Sequence, residues 1–356
     1  MQKTENDKIR MTRDYNQNSH CQKNTILNSL GRIIQCVKDM INTNPDRFQK
    51  TEIPFSIADL GCADGANSVP IFDSLITLIR EVNPDLPIQV FLNDTPMNDF
   101  TTAMQRISTG LEKHSNVWIY SLGKSFYESL FPENSMDLIF STASAHWIPR
   151  SPAPLTLMNC YLTDEFAATP EGKIWEKEAD QYWKSFLELR HKELRRNGRL
   201  FIIVPGMSDP SSEDDVRFMN QSLIWKSSFI KALKKFDLPA DDNYILTAVL
   251  RPLKHYKKVF DSEITGMQLL ETFSTTHEQV EGDQDPTVYT GRLVNWVRAV
   301  SAEILKSKMI QKGIREEVAR EVLDEYYNKE LMQSLLETDD PQKPLKVYFI
   351  GLVMKK

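Results

Sequence analysis

The chain has 356 residues, of which 41% are hydrophobic and 26% are charged, and its formal net charge at pH 7 is −6. This length supports a sizeable buried core, and the composition is typical of folded globular proteins rather than disordered or collagen-like chains. The acidic balance argues against a general nucleic-acid binder, because such proteins need a clustered positive surface to neutralise phosphates. We therefore expect a globular protein without nucleic-acid partners.

Cysteine usage and hydropathy indicate the cellular compartment in which the protein is expected. The four cysteines, Cys21, Cys36, Cys62 and Cys160, form no CxxC pair, so their spacing suggests neither a zinc site nor a disulfide framework. No apolar run approaches the ~20 residues that cross a bilayer, and the polar N-terminal segment lacks the apolar core of a secretory signal. These features predict a cytoplasmic protein with no membrane partner.

Hydrophobic periodicity and glycine positions predict alternating helices and strands through the first 204 residues. In chain order the segments are a helix over 24–44, a strand over Ser56–Leu60, a helix over Ser68–Glu81, a strand over Ile88–Leu92, a helix over Phe100–Leu111, strands over Val117–Tyr120 and Asp137–Ser141, a helix over Glu176–Arg195 with Gly198 at its C-cap, and a strand over Arg199–Val204. Such alternation is typical of an α/β fold with a mainly parallel sheet and helices on both faces.

The second half of the chain is less regular. Short helices and charged loops are expected after Asp209, and helices are expected to begin near Thr290 and Arg315. A final strand over Lys346–Met354 would return to the sheet edge, which predicts that the irregular part is inserted into the core. The predicted organisation is a single domain over 1–356, with an N-terminal lid over 1–44, a core over about 45–207 and 290–356, and a mostly helical cap over 208–289.

A glycine turn follows the first predicted strand, in the segment Asp59-Leu60-Gly61-Cys62-Ala63-Asp64-Gly65-Ala66-Asn67. Glycines there let the backbone pass close to a ligand, where a side chain would collide. The spacing is neither GxGxxG nor GxxxxGK[ST], so a phosphate-binding loop and a nicotinamide-dependent dehydrogenase are disfavoured. A strand-to-helix turn with only a structural role stays open at this point.

Polar and aromatic residues follow the next two strands at the same predicted sheet edge. Asp94 stands at the carboxyl end of the second strand, where open α/β sheets bind ligands, and its carboxylate could accept both hydroxyls of a ribose. An Asp that only caps the following helix is the alternative. Ser125-Phe126 comes after the third strand at a similar height, so a hydroxyl and an aromatic ring could line an adenine pocket.

Four sequence blocks carry a closer resemblance to a known family. They are Asp14–Gln22, Ile57–Cys62, Phe91–Phe100 and Ser125–Pro132, and a serine-rich segment that ends in His146-Trp147 follows them. In order and spacing, the chain resembles the SABATH carboxyl methyltransferases, which make methyl salicylate, methyl jasmonate and related esters and, in some members, N-methylate caffeine precursors. The resemblance implies a class I methyltransferase Rossmann-like fold, S-adenosylmethionine as the cofactor, and a homodimer.

The resemblance also implies the roles of individual residues. The cofactor-binding positions are Tyr15, Ser19, Asp59, Gly61, Cys62, Asn67, Asp94, Thr95, Ser125 and Phe126. The acceptor carboxylate is held at Gln22 and Trp147, whose amide and indole N–H groups can orient a carboxylate without becoming nucleophiles. His146 lies beside the acceptor, either as a third contact or as a neutral packing residue. No residue is assigned a catalytic acid or base role.

The chain departs from the family pattern at three places. The glycine-rich segment before the first tyrosine is shorter here, at Met11–Asp14, and Ala143 replaces a tyrosine, which predicts a larger or reshaped acceptor pocket. Residues 209–285 match poorly, and no metal-site residues can be placed there, so we expect no metal. Ala143 and the apolar segment Pro149–Met158 suit an acceptor with an aliphatic or aromatic tail.

Together, these features predict transfer of a methyl group from S-adenosylmethionine to the carboxylate of a small organic acid, by in-line attack that yields a methyl ester. A carboxylate is already ionised at neutral pH, with an unperturbed pKa near ~4, so orientation limits the reaction. A ring nitrogen or alcohol acceptor is the first alternative, and it would require a base such as His146. A catalytically inactive methyltransferase-like binding protein is the second.

Overall fold

The computed structural model describes residues 20–241, 243–262 and 266–356. Its first half contains, in chain order, α1 (His20–Thr43), α2 (Pro45–Gln49), β1 (Phe55–Leu60), α3 (Ser68–Val82), β2 (Ile88–Asp94), α4 (Phe100–Gly110), β3 (Val117–Gly123), β4 (Met136–Thr142), β5 (Cys160–Tyr161), α5 (Asp164–Ala167), α6 (Pro170–Glu193) and β6 (Leu194–Pro205). Its second half contains α7 (Glu213–Lys235), β7 (Val249–Leu250), α8 (Leu253–Lys257), a 3₁₀ turn (Lys258–Ser262), β8 (Gln268–Val280), α9 (Pro286–Gln311), α10 (Glu316–Glu325), a π-helical turn (Tyr326–Leu331), α11 (Met332–Thr338) and β9 (Leu345–Lys355).

Seven strands form the main sheet, in the order β3-β2-β1-β4-β6-β9-β8. The first five are parallel, whereas β9 runs antiparallel to both β6 and β8. The strand order reverses between β1 and β4, and open α/β sheets bind ligands at the carboxyl ends of the strands beside such a switch point. The mainly parallel α/β fold predicted from the sequence is confirmed.

Alternating side chains of the strands build a core on each face of this sheet. On β1, Phe55 and Ile57 pack into one core, Ala58 and Leu60 pack into the other, and all six residues of the strand are buried. Helices α1 and α3 contribute to the first core, and α6 contributes Trp183 to the second. Burial on both faces explains why these strands are apolar runs and not alternating patterns.

Three details differ from the expectations drawn from the sequence. Residues 268–280 were expected in the cap, but they form β8, the edge strand of the main sheet. Most side chains of β8 are exposed or half-buried, so the strand lacks the apolar signal of its neighbours. Strand β9 lies between β6 and β8 and is therefore internal, not at the sheet edge. Gly198 lies within β6, since α6 already ends at Glu193 and Leu194 is extended.

Two helical regions complete the fold. Helix α1 belongs to the predicted lid over 1–44; its Ile33, Val37 and Met40 are buried, and the helix contacts α3 and β8. Helix α7 packs against β9, against α10 and α11, and against the π-helical turn between them. The remaining division into lid, core and cap stays a prediction. Within the described ranges, no helix is long and apolar enough to span a bilayer.

Candidate cofactor and acceptor site

The turn after β1 is shaped by hydrogen bonds to the end of β2. The N–H groups of Gly61 and Cys62 both donate to the Asn93 carbonyl oxygen, at 2.8 and 3.0 Å. Gly61 has a φ of +88°, and a Cβ atom there would overlap the Ser144 side chain. Only glycine fits this position, because both the backbone conformation and the loop after β4 exclude a side chain.

The Asp94 carboxylate is bonded to the same turn. Its oxygens accept the Ala63 N–H at 2.8 Å and the Thr95 N–H at 2.7 Å. Burial raises the pKa of Asp94, and hydrogen bonds from these two backbone N–H groups and from the Thr95 hydroxyl oppose that effect. A carboxylate has about four acceptor positions, so the side chain can still accept a further hydroxyl group. The helix-cap alternative for Asp94 is wrong, since Asp99 caps α4.

Asp59, at the buried end of β1, has one bonded oxygen and one without a partner. The Ser68 hydroxyl donates to Oδ2 at 2.5 Å, whereas Oδ1 accepts no hydrogen bond from the described residues. Burial raises the pKa of Asp59 to about 7, the Ser68 hydrogen bond opposes this increase, and the nearby Asp94 adds to it. An unpaired buried acceptor is costly, so this oxygen is suited to an N–H group or an ammonium group of a ligand.

Cys62 and Asn67 lie on either side of the second glycine of the turn. Burial raises the pKa of the Cys62 thiol well above its ordinary value, so the side chain is an uncharged contact and not a nucleophile. Asn67 occupies the N-cap position of α3. Gly65 has a φ of +80° and packs against α4, where an added Cβ atom would lie 3.2 Å from the Ala103 carbonyl oxygen.

A buried ion pair in α6 holds the loop that carries Ser125 and Phe126. Arg190 and Glu193 form this pair at 2.8 Å, and their side chains are 0% and 2% exposed. Arg190 donates to the Phe126 carbonyl oxygen at 2.6 Å, and Glu193 accepts the Leu130 N–H at 2.7 Å. Sequence reasoning missed this pair, although its i,i+3 spacing on a helix was an available signal.

Two asparagines that the sequence analysis did not single out also organise this edge. The fully buried Asn93 donates from Nδ2 to the carbonyl oxygens of Leu122 and Lys124, at 2.9 and 2.7 Å, and so joins the ends of β2 and β3. Asn98 donates to the Ala63 carbonyl oxygen at 2.6 Å. The available signal was their place beside Asp94, since buried amides at strand ends commonly satisfy loop carbonyls.

The structure gathers most of the expected cofactor positions at one edge of the sheet. Those at the ends of β1, β2 and β3, or in the segments that follow them, are Asp59, Gly61, Cys62, Asn67, Asp94, Thr95, Ser125 and Phe126. Tyr15 and Ser19 lie outside the described residues. Gln22 belongs to α1, but its side chain is likewise outside the description. The binding roles of all these residues stay predictions.

A largely apolar cavity adjoins this edge. Its walls include Ala143, His146 and Trp147 from the segment after β4 and Phe218, Trp225 and Trp296 from α7 and α9. No Asp, Glu, Lys or Arg occurs among the described residues that line it. The cavity can therefore hold an apolar molecule with a few polar groups.

His146 is a neutral residue of this wall. It is 8% exposed, and its Nδ1 atom has no hydrogen-bond partner in the described part of the chain. Burial lowers the pKa of His146 to about 3, so the imidazole is uncharged at neutral pH. Its ring lies 5.1 Å from that of Trp147, which in turn pairs with Ala248 in an antiparallel bridge. Ala143, with a φ of 58°, begins this segment.

The fold and the strand-end site define a class I methyltransferase. The solved structure of a loganic acid methyltransferase with SAH shares this fold, with a TM-score of 0.77 over 98% of each chain and 17% sequence identity. The model of the SAM dependent carboxyl methyltransferase family matches residues 10–355. The chain belongs to this family, and the resemblance inferred from the sequence blocks is confirmed.

Two relatives show how the acceptor varies. The chain is 33% identical over 175 residues to the probable 7-methylxanthine methyltransferase 5 of Theobroma cacao. This match covers 45% of this chain and 48% of the relative. It is 29% identical over 224 residues to the salicylate/benzoate carboxyl methyltransferase of Arabidopsis thaliana, covering 57% and 56%. The chain thus spans about half the length of these relatives, whose names differ in the acceptor.

The described residues fit the cofactor of this family, S-adenosylmethionine. Asp94 retains acceptor capacity for a ribose hydroxyl, and the unpaired oxygen of Asp59 suits the amino group of the methionine portion. The absence of a side chain at Gly61 makes room for the Ser144 side chain and lets the turn keep the conformation that places it at the end of β1.

Proposed function

We propose that the protein transfers a methyl group from S-adenosylmethionine to the carboxylate of a small organic acid. The observation that carries this proposal is the apolar cavity beside the sheet edge that holds the expected cofactor positions. Its described walls contain neutral donors and no charged side chain. When bound, the cofactor supplies an electrophilic methyl group on its sulfonium centre. The task of the protein is then to orient the acceptor oxygen and to exclude water.

Trp147 and Gln22 are the residues that we propose orient the carboxylate, through an indole and an amide N–H group. Such neutral donors fix the direction of attack without adding a formal positive charge beside the nucleophile. Holding two reactants as near-attack neighbours lowers a barrier by roughly 7–11 kcal/mol. No proton has to be removed, because a carboxylate is ionised at neutral pH.

A ring nitrogen acceptor is the second candidate, since three relatives bear the name of methylxanthine methyltransferases. A ring N–H must lose its proton when the nitrogen is methylated. His146 adjoins the cavity, but its pKa, lowered by burial to about 3, makes it a poor base at neutral pH. The carboxylate acceptor, which needs no base, is therefore favoured.

We also propose a cytoplasmic location and a homodimer. The location is supported by Cys36, Cys62 and Cys160, which are buried and free, as is usual for proteins of reducing compartments. The homodimer is supported by the family resemblance, and the net charge of −6 supports the expectation of no nucleic-acid partner.

The deciding experiment is turnover of methyl-labelled S-adenosylmethionine against free fatty, aromatic and isoprenoid acids, with their amides and amines and with 7-methylxanthine for comparison. We expect mass spectrometry to detect a methyl ester from one class of acid. An N-methylated product would instead support the second candidate. Cofactor binding without any methylated product would indicate an inactive, methyltransferase-like binding protein.

Trp147→Phe tests the orienting role, because it keeps an aromatic ring and removes the indole N–H. Hydrogen bonds to charged groups contribute about 1.5–3 kcal/mol, so kcat/KM for the accepted acid should fall roughly 10- to 100-fold while cofactor affinity is retained. The matched control is Trp118→Phe on β3, where the side chain is 45% exposed. Unchanged turnover by Trp147→Phe would remove Trp147 from this role.

A further inference from the structure

The cavity that we propose for the acceptor is lined by the polar residue Asn159 as well as by Trp147. The pairing of three short segments places these two residues on either side of Ala248. Trp147 pairs with Ala248, and β5 pairs in parallel with β7, with Cys160 opposite Val249. Continuing that register by one residue places Asn159 beside Ala248, on the side away from Trp147. Laterally paired residues point to the same face of a sheet, and Trp147, Ala248 and Asn159 all line the cavity.

The spacing of these segments sets the length of a ligand that could reach both positions. Neighbouring strands lie about 4.8 Å apart, so the backbones of Trp147 and Asn159 are about 10 Å apart. Ala248 lies between them and contributes only a methyl group. An acceptor whose reacting group is held at Trp147 would therefore present its far end to Asn159.

Three buried polar groups at this far end have no partner among the described residues. Asn159 is 5% exposed, its Oδ1 accepts no hydrogen bond, and its Nδ2 reaches only the Tyr161 hydroxyl, at 3.5 Å. The indole N–H groups of Trp225 and Trp296 also lack acceptors. An unsatisfied buried polar group costs about 1–3 kcal/mol, so three of them on residues that line one apolar cavity point to a ligand that pairs with them.

The three groups belong to the same end of the cavity. The Asn159 N–H donates to the Ser222 hydroxyl of α7 at 3.2 Å, and Trp225 lies three residues further on, on the same face of that helix. The rings of Trp225 and Trp296 pack edge to face, with their centroids 5.6 Å apart.

We propose that Asn159, Trp225 and Trp296 form a distal polar subsite that binds a hydroxyl group at the end of the acceptor opposite to its carboxylate. A hydroxyl can donate to Oδ1 of Asn159 and accept from an indole N–H at the same time, whereas a carbonyl would leave Oδ1 unpaired. The inference rests on the proposed function and narrows its substrate to hydroxylated acids with an apolar body. An acid with an unsubstituted tail would leave all three groups unsatisfied.

The test compares acids that differ only in the distal hydroxyl: para-hydroxycinnamic acid with cinnamic acid, and ω-hydroxyoctanoic acid with octanoic acid. The wild-type protein should prefer at least one hydroxy acid about 10-fold or more, in kcat/KM and in Kd. The Kd is measured by tryptophan fluorescence in the presence of S-adenosylhomocysteine. Asn159→Leu, an apolar change of similar size, should abolish this preference by weakening the hydroxy acid alone.

Matched variants separate the subsite from a general effect on folding. Asn220→Leu makes the same chemical change at an exposed position of α7 and should leave the preference intact. If Asn159→Leu does not fold, Trp225→Phe and Trp296→Phe provide the test, since each removes one N–H group and keeps an aromatic ring. Each should reduce the preference for the hydroxy acid by several-fold.

The readouts also distinguish this inference from the proposed function. Formation of a methyl ester tests the function, whereas the ratio of affinities tests the subsite and can be measured without turnover. Equal affinity of the wild-type protein for both members of each pair, no measurable binding of either, or an unchanged ratio in Asn159→Leu would overturn the subsite.

Discussion

The candidate site has a cofactor side, at the ends of β1, β2 and β3, and an acceptor side, at the cavity lined by Ala143 and Trp147. The two sides are built from different kinds of contact. On the cofactor side, the strand ends are fixed mainly by backbone groups, such as the Ala63 N–H on Asp94 and the Asn93 carbonyl oxygen on the turn after β1. On the acceptor side, the walls are side chains from distant parts of the chain, between Ala143 and Phe349. Backbone contacts tolerate many side-chain changes, whereas side-chain walls change with every substitution.

The two sides also differ in charge. The cofactor side holds two carboxyl groups, Asp59 and Asp94, whose pKa values are both raised by burial. The described walls of the acceptor cavity hold none. The comparison suggests that the cofactor is recognised by fixed polar groups, while the acceptor is selected by shape and a few neutral donors. Substitutions on the acceptor side should therefore alter the substrate without altering cofactor binding.

Gly61→Ala should have the largest effect on cofactor affinity, because it disrupts the turn after β1 where this turn meets the loop after β4. The new Cβ atom would clash with the Ser144 side chain, and the φ of +88° disfavours any L-residue. We expect affinity for S-adenosylmethionine to fall by about 100-fold or more, a change of about 2.7 kcal/mol in calorimetric titration.

Gly313→Ala is the matched control for that variant. Gly313 has a similar φ of +84°, but no atom lies within 4 Å of the position of its added Cβ. This variant carries the backbone cost alone, about 1–2 kcal/mol of stability, and should bind the cofactor normally. Equal cofactor affinity in the two alanine variants would contradict the steric account of the turn.

Arg190→Met should have the next largest effect on cofactor binding, and it should also lower stability because it leaves the buried Glu193 carboxylate without its cationic partner. Breaking a buried pair costs about 3–5 kcal/mol, which urea unfolding can measure. The loop that carries Phe126 also loses its hydrogen bond from Arg190, so KM for the cofactor should rise more than KM for the acceptor.

The exposed pair of Arg320 and Glu316 offers the control for that variant, since both side chains are about half exposed or more. Arg320→Met should cost under about 1 kcal/mol and leave both KM values unchanged. If Arg190→Met lowers stability but raises both KM values equally, Arg190 supports the fold without positioning the cofactor loop.

The same contrast explains how much of the site could be predicted from the sequence. The turn from Asp59 to Asn67 and the carboxylate of Asp94 are local features of strand ends, and parallel strands bring such ends to one edge. Asn159, Trp225 and Trp296 share no spacing that a sequence pattern could reveal. They meet through the pairing of two-residue strands and the packing of two long helices.

Elements of the fold that depend on pairing between distant parts of the chain were likewise hard to predict from the sequence. Strands β1, β2 and β4 of the first half could be placed within one or two residues, whereas β6 begins five residues before its predicted start. Strand β8 was assigned to the cap because its polar and half-exposed residues resemble those of a loop. Its identity as a strand depends on pairing with β9, where Gln268 lies opposite Lys355 far along the chain.

His146→Asn should give the smallest effect, and it tests whether the acceptor side is neutral. The pKa of His146 is lowered from 6.5 to about 3 by burial, so the folded protein excludes a proton that the unfolded chain binds below pH 6.5. The free energy of unfolding is therefore highest above pH 6.5 and decreases as the pH falls toward 3. Between pH 7.5 and 5.5, the wild-type protein should lose about 1.4 kcal/mol more than the variant.

Urea unfolding of both proteins at the two pH values measures this difference, and the pH profile of kcat/KM provides an independent check. A neutral His146 contributes no inflection near pH 6.5. If the stability difference is absent and such an inflection is present in the wild-type protein alone, the imidazole takes up a proton in the folded state and can act as a base. The acceptor side would then suit a ring nitrogen as well as a carboxylate, and the contrast between the two sides would be one of shape and not of charge.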